Sequence, residues 1–267
     1  MSFGSMPNDG GHLLLDEYEK EQLLLEDSRT ESLIHPLLGA LEFIRGEKRY
    51  CLWITDDLLP LALSIKPVGL RIKKCRESRA SSKRANTNAL ADKPHQFGEI
   101  RYKDSNCIIV PGVSSEQRKY IPIGYLEAGT VITNSAFAVY DAPLWLFGVL
   151  TSAMHMVWVK TVGGRLKTDY RYSAQLCYNT FPFPKISAEK KQEIESAAED
   201  VLITRENYPE KTLAELYDPD KMPQDLREAH AKLDDIVESC YPDYPFASDE
   251  ARLECLFKLY EKMTSKH

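Results

Sequence analysis

Phe181-Pro182-Phe183-Pro184 constrains this chain more than any other stretch. Each proline fixes φ near about -65° and lacks an amide hydrogen, so the segment is a stiff extended exit that neither a helix interior nor a central strand accepts. The character of the sequence changes across it. Before it, short β-branched and aromatic runs alternate with Gly, Pro and Asn turn signals; after it, apolar residues recur at helical spacing. A domain boundary is therefore expected after residue 185.

Beyond the boundary the helix signals are explicit. Ser187 can cap a helix to about Ile203, with Glu189 in its first turn. Thr212 can cap Leu213 to Tyr217, Pro223 opens a helix through Leu226, Leu233 and Val237, and Ser248 caps a last one. No strand is expected between residues 190 and 260. Before the boundary, His12 to Glu26 reads as a short helix, Val68 to about Arg84 as a basic helix and Leu144 to Met156 as an apolar one. Tyr50–Ile54, Cys107–Val110, Tyr120–Leu126 and Ala136–Tyr140 read as strands. The expected class is α+β: residues 31–185 form an α/β domain on a twisted, mostly antiparallel sheet, and residues 186–267 are all helical. Residues 1–30 read as a linker and short helix.

The net charge of -6 conceals a segregation. Residues 1–65 carry 5 basic and 12 acidic groups, residues 66–171 carry 17 and 8, and residues 186–267 carry 11 and 20. A basic middle between acidic ends suits a middle that meets a polyanion. The six cysteines form no CxxC pair, so reduced thiols in a cytoplasm are expected, with neither a disulfide frame nor a metal site. No signal peptide and no membrane span are expected.

Within the basic middle lies Gly163-Gly164-Arg165-Leu166-Lys167-Thr168-Asp169-Tyr170-Arg171-Tyr172. Lys167, Asp169 and Arg171 are two apart, so an extended chain turns all three to one face and Leu166, Thr168, Tyr170 and Tyr172 to the other. Donor, acceptor, donor is a row suited to base edges: lysine and arginine donate to guanine O6 and N7, and aspartate accepts from cytosine N4. The same spacing also suits a solvated face of Lys–Asp–Arg pairs. Lys83, Arg84, Arg118, Lys119 and Arg165 are expected to meet phosphates. His155, on an apolar helix, reads as a packed histidine. Glycine-rich nucleotide loops, His-Glu-x-x-His and a nucleophile elbow are all lacking, so no catalytic residue and no cofactor site is expected in this stretch. Asn179-Thr180-Phe181-Pro182-Phe183 only loosely echoes the Asn-Pro-Pro-aromatic signature of amino-methylating enzymes, because the paired prolines are missing.

Five separated motifs carry a resemblance: Lys48-Arg49-Tyr50-Cys51-Leu52-Trp53, Gly98-Glu99-Ile100-Arg101-Tyr102, Val113-Ser114-Ser115-Glu116-Gln117-Arg118-Lys119-Tyr120-Ile121-Pro122, the Gly163–Tyr172 stretch, and Tyr178-Asn179-Thr180-Phe181-Pro182. In that order they resemble the C-terminal part of MmeI-like bacterial type II restriction–modification proteins. The resemblance implies a target recognition domain and helical tail that bind double-stranded DNA. It also implies a parent chain with an S-adenosylmethionine-dependent adenine-N6 methyltransferase, an intramolecular partner of this stretch, and a nuclease. It implies that Lys167 and Asp169 read one base pair, that Arg171 helps to read another, and that Asn134 and Ser135 sit at further base-reading positions. A protein-interaction or scaffold fragment with a basic surface is the alternative, separable by salt-dependent, sequence-selective binding to duplex DNA.

Overall fold

The computed structural model describes residues 1–265. Packing divides the chain into two compact units, one of Ser2–Ser105 with Glu127–Ala138, the other of Met1, Asn106–Leu126 and Val139 onward.

In the first unit a four-stranded sheet runs in the order Leu14–Leu15, Tyr50–Leu52, Ile34–Leu38, Val131–Ile132. Its pairs are antiparallel except the last, where Leu37 meets Val131 in parallel. Helix Lys66–Ala80 buries Val68, Ile72 and Cys75 in the core with Leu13, Leu15, Leu33 and Leu52. Arg79 is buried too (1% exposed), its guanidinium donating to the carbonyls of Pro7, Asn8, Leu90, Lys93 and Gln96. That full set of acceptors is what lets a charged group sit inside.

The N-terminal stretch is woven into this unit. Ser2–Phe3 pairs antiparallel with Phe137 and Ala138, within the stretch expected as a linker. The helix expected from His12 begins at Glu17, because Asp16 and Glu19 close a capping box and Leu14–Leu15 is held as a strand against Tyr50 and Cys51.

In the second unit Cys107–Pro111 pairs antiparallel with Gly124–Leu126. Only the end of the expected Tyr120–Leu126 strand forms; Tyr120 and Ile121 are buried outside it. The apolar helix expected over Leu144–Met156 is two helices, Leu144–Leu150 and Ala153–Val162. Ser152 makes the break: its hydroxyl donates to the Val149 carbonyl at 2.7 Å and caps the second helix. Helices Ala188–Glu206, Leu213–Leu216, Gln224–Glu238 and Asp249–Thr264 follow, three of them capped by Ser187, Thr212 and Ser248. No strand occurs among residues 190–260.

These helices do not form a core of their own. Val149, Met154, Trp158 and Phe181 pack in one cluster with Ile194, Val201, Leu226, Leu233, Val237 and Leu256. A Cβ on Gly148 would lie 2.5 Å from the Ile194 side chain, so only glycine permits that approach. Contacts therefore join the residues after 185 to those at 106–126 and 139–185 in one unit.

Candidate nucleic-acid interface

Gly164–Leu166 and Asp169–Arg171 form a hairpin, and Val113–Ser114 adds a third strand beside Asp169–Arg171. Lys167 and Thr168 are the two-residue turn. The register pairs Leu166 with Asp169, Arg165 with Tyr170 and Gly164 with Arg171. Directly opposed residues share a face. Tyr170 opposes Ser114 on the buried face, and the Arg165 guanidinium stacks 4.1 Å from the Tyr170 ring centroid. The other face carries Leu166, Asp169, Arg171 and Val113.

This corrects the strand reading in two ways. Lys167 is not on a strand face with Asp169 and Arg171; it occupies the turn at φ +57°. A two-residue hairpin turn needs a positive φ, and here a lysine supplies it at the usual cost to an L residue. Leu166, expected opposite the charged row, instead shares the face of Asp169, because the chain reverses between them. Only Asp169 and Arg171 keep the side-by-side spacing.

Asp169 is half-buried, and Lys167 and Arg171 are exposed. Among the described residues none of the three side chains has a hydrogen bond or ion pair, so the Lys–Asp–Arg pairs of a solvated face are not formed. Arg118, half-buried on the turn after Val113–Ser114, lies close enough to Asp169 for their charges to interact. Burial pulls its guanidinium pKa down, while the carboxylates of Asp169 and Asp218 oppose that shift. Its neighbour Lys119 is exposed and lies 5.1 Å from the Tyr120 ring centroid.

The segment behind Arg118 and Lys119 is anchored at depth. The Tyr120 hydroxyl donates to Asp234 Oδ2 at 2.6 Å, and Asp234 Oδ1 accepts from the Ala153 amide at 2.7 Å. The Arg205 guanidinium donates to the Ile123 carbonyl at 2.7 Å and to the Tyr217 hydroxyl, which donates on to His230 Nε2 at 2.7 Å. Burial pushes the Asp234 carboxyl up to about 6, although the Tyr120 and Ala153 donors oppose it.

The other expected positions lie in the first unit. Lys83 and Arg84 are exposed just beyond helix Lys66–Ala80. Asn134 and Ser135 form an exposed turn. The Ser135 hydroxyl accepts from the Ala40 amide at 2.9 Å and lies 3.1 Å from the Thr133 hydroxyl, so it already serves helix Ala40–Arg45. The Asn134 side chain has no such commitment.

Groups with enzyme-like chemistry have structural occupations. His155 is fully buried against Tyr172, with Nε2 2.8 Å from that hydroxyl, and burial lowers its pKa to about 3. Cys75 and Cys107 are pushed up to about 11 by burial, far from thiolate reactivity at neutral pH. Thr180, within the loose methyltransferase echo, accepts from the Trp158 indole at 3.1 Å. No group of three His, Cys, Asp or Glu residues is placed to hold a metal among the described residues, and no helix is long and apolar enough to cross a membrane.

A family model described as the MmeI target recognition domain matches residues 1–185, and one described as the MmeI C-terminal domain matches residues 186–267. The chain belongs to the MmeI family. Its division in that family falls at the proline-rich exit, whereas its packing runs across the same point. The DNA methyltransferase A of Bacillus subtilis (strain 168) is 46% identical over 266 residues, all of this chain and 30% of that protein. The type IIL restriction–modification enzyme MmeI, solved in complex with DNA, is 38% identical with a TM-score of 0.92 over 99% of this chain and 35% of that one. The MmeI-family chain thus spans about a third of these relatives. Sequence spacing missed Leu166 as a neighbour of Asp169, because Lys167-Thr168 is not among the residue pairs that announce a two-residue hairpin turn.

Proposed function

We propose that this chain is the sequence-specific duplex-DNA recognition module of a DNA methyltransferase. One observation carries the reading. A surface hairpin presents an acceptor, Asp169, and a donor, Arg171, side by side, neither holding a hydrogen bond or ion pair among the described residues. A carboxylate facing phosphates weakens binding in general, so its presence is best explained by discrimination. Asp169 accepts from a cytosine amino group, Arg171 grips guanine, and Lys167 reaches in from the turn. Asn134 supplies a further base contact; Ser135, already bonded, does so only through its remaining donor capacity. Lys83, Arg84, Arg118, Lys119 and Arg165 hold phosphates. Residues 1–185 do the reading, with residues 1–30 built into their fold, and residues 186–267 brace them. The parent chain carries a methyltransferase domain that transfers a methyl group from S-adenosylmethionine to adenine N6 in the cytoplasm, and it either only methylates DNA or also cleaves it through a fused nuclease.

The test is a selection of randomised duplexes by the 267-residue chain. One sequence is expected to emerge, with affinity falling steeply as salt rises. Asp169→Asn and Arg171→Ala should each relax a single position, by about 1–3 kcal/mol, and Arg118→Ala should weaken all sequences alike. Equal binding of every sequence would leave a basic protein-interaction surface as the better account.

A further inference from the structure

We infer that Leu166 is a further specificity-determining residue, packing on the C5 methyl group of a thymine next to the base pair met by Asp169. The inference rests on the DNA-reading role proposed above and adds an apolar contact to it.

Leu166 is 52% exposed. A single exposed leucine is unremarked on most surfaces, but this one has a defined setting. It is directly opposite Asp169, so the two side chains leave the sheet on the same face, with Arg171 beyond them. The opposite face of the hairpin is closed by Tyr170 (8% exposed), with Arg165 stacked on its ring. Leu166 therefore cannot turn inward without displacing that pair. It stands beside the turn at Lys167, at the leading end of the hairpin, flanked by the donor Lys167 and the acceptor Asp169.

In the major groove of DNA the one apolar group on a base edge is the thymine methyl. A ribbon that sets a carboxylate and a guanidinium on base edges carries its cross-strand neighbour to the same depth. An apolar branched side chain there matches the methyl and nothing else in the groove. Lysine, serine or asparagine at 166 would suit a solvated tip equally well and would lack this selectivity.

The experiment uses duplexes carrying the sequence selected by the 267-residue chain, with each thymine in turn replaced by deoxyuridine, which removes only the methyl. For the parent chain, one replacement is expected to weaken binding about fourfold, the worth of one buried methyl group. Leu166→Ala should bind the thymine duplex about fourfold more weakly and be indifferent to that same replacement, whereas Leu166→Met should retain most of the difference. Placing 5-methylcytosine at unmethylated positions serves as the control for a general methyl effect. A parent chain indifferent to every deoxyuridine, or a Leu166→Ala chain as sensitive as the parent, overturns the inference while leaving the recognition role intact. Failure of the parent to select any sequence overturns the recognition role itself.

Discussion

At the scale of single residues, Lys167 shows how a local demand and a chemical one meet. The turn asks for a positive φ and the sequence supplies lysine instead of glycine. Left-handed geometry costs an L residue roughly 1–2 kcal/mol, and the extra freedom of glycine in the unfolded chain returns about 0.5–1 of that. Lys167→Gly should therefore stabilise the protein by about 0.5 kcal/mol, seen as a slightly raised Tm. The same variant should bind its selected duplex more weakly, because the donor at the tip is gone. Stability and affinity moving in opposite directions is the outcome that marks Lys167 as kept for binding; a variant less stable and equally tight in binding would mark it as a turn residue only. The charges around it could be found from sequence, but whether they pair with one another could not. Its place in the turn could not be read from alternation, which counts residues along one strand and does not register that the chain has reversed.

At the scale of elements, what was legible depended on whether the cause was local. Ser187, Thr212 and Ser248 cap the helices their sequence context announces, since a cap is settled within four residues. The break at Ser152 was hidden inside an apolar run, because its cap competes with a continuing helix and tertiary packing decides between them. The link from Tyr120 to Asp234 spans 114 positions and has no sequence signal at all. It does have a pH signature. The folded-state pKa of Asp234, about 6, lies above its ordinary 3.8, so the folded chain binds the proton more tightly than the unfolded one. The stability this contributes is complete below about pH 4 and is lost as pH rises through about 6, by up to about 3 kcal/mol. Asp234→Asn keeps both hydrogen bonds, the amide oxygen facing Ala153 and the amide nitrogen facing the Tyr120 hydroxyl. Chemical denaturation at several pH values should show the parent losing stability relative to Asp234→Asn between pH 4 and 6. Parallel curves would mean that Asp234 stays ionised in the fold at no cost.

At the scale of the whole molecule, the proline-rich exit divides the family's two domains and the charge pattern, but not the core. A basic middle and an acidic tail suggest that residues 186–267 could be removed from a reading domain that stands alone. The packing argues otherwise. Val149, Met154 and Trp158 are buried in the cluster that Ile194, Val201, Leu226 and Leu233 complete, and Gly148 admits Ile194 at van der Waals range. Removing the tail also strands Tyr120 without Asp234 and the Ile123 carbonyl without Arg205. Losing several fully buried neighbours at once exceeds any single core truncation, each of which costs about 2–5 kcal/mol, and the total approaches the entire stability of an ordinary domain. The segment that Tyr120 anchors begins at Val113–Ser114, the strand on which the hairpin rests. A fragment ending at Lys185 should therefore lose the near-ultraviolet dichroism of its buried aromatics and the hydrogen-exchange protection of Tyr170. Its sequence preference should go with them, while weak salt-sensitive binding to any duplex persists through the exposed lysines and arginines. A fragment that keeps both the protected Tyr170 amide and the parent's preferred sequence would make the tail an appendage to the reading hairpin, not part of its foundation.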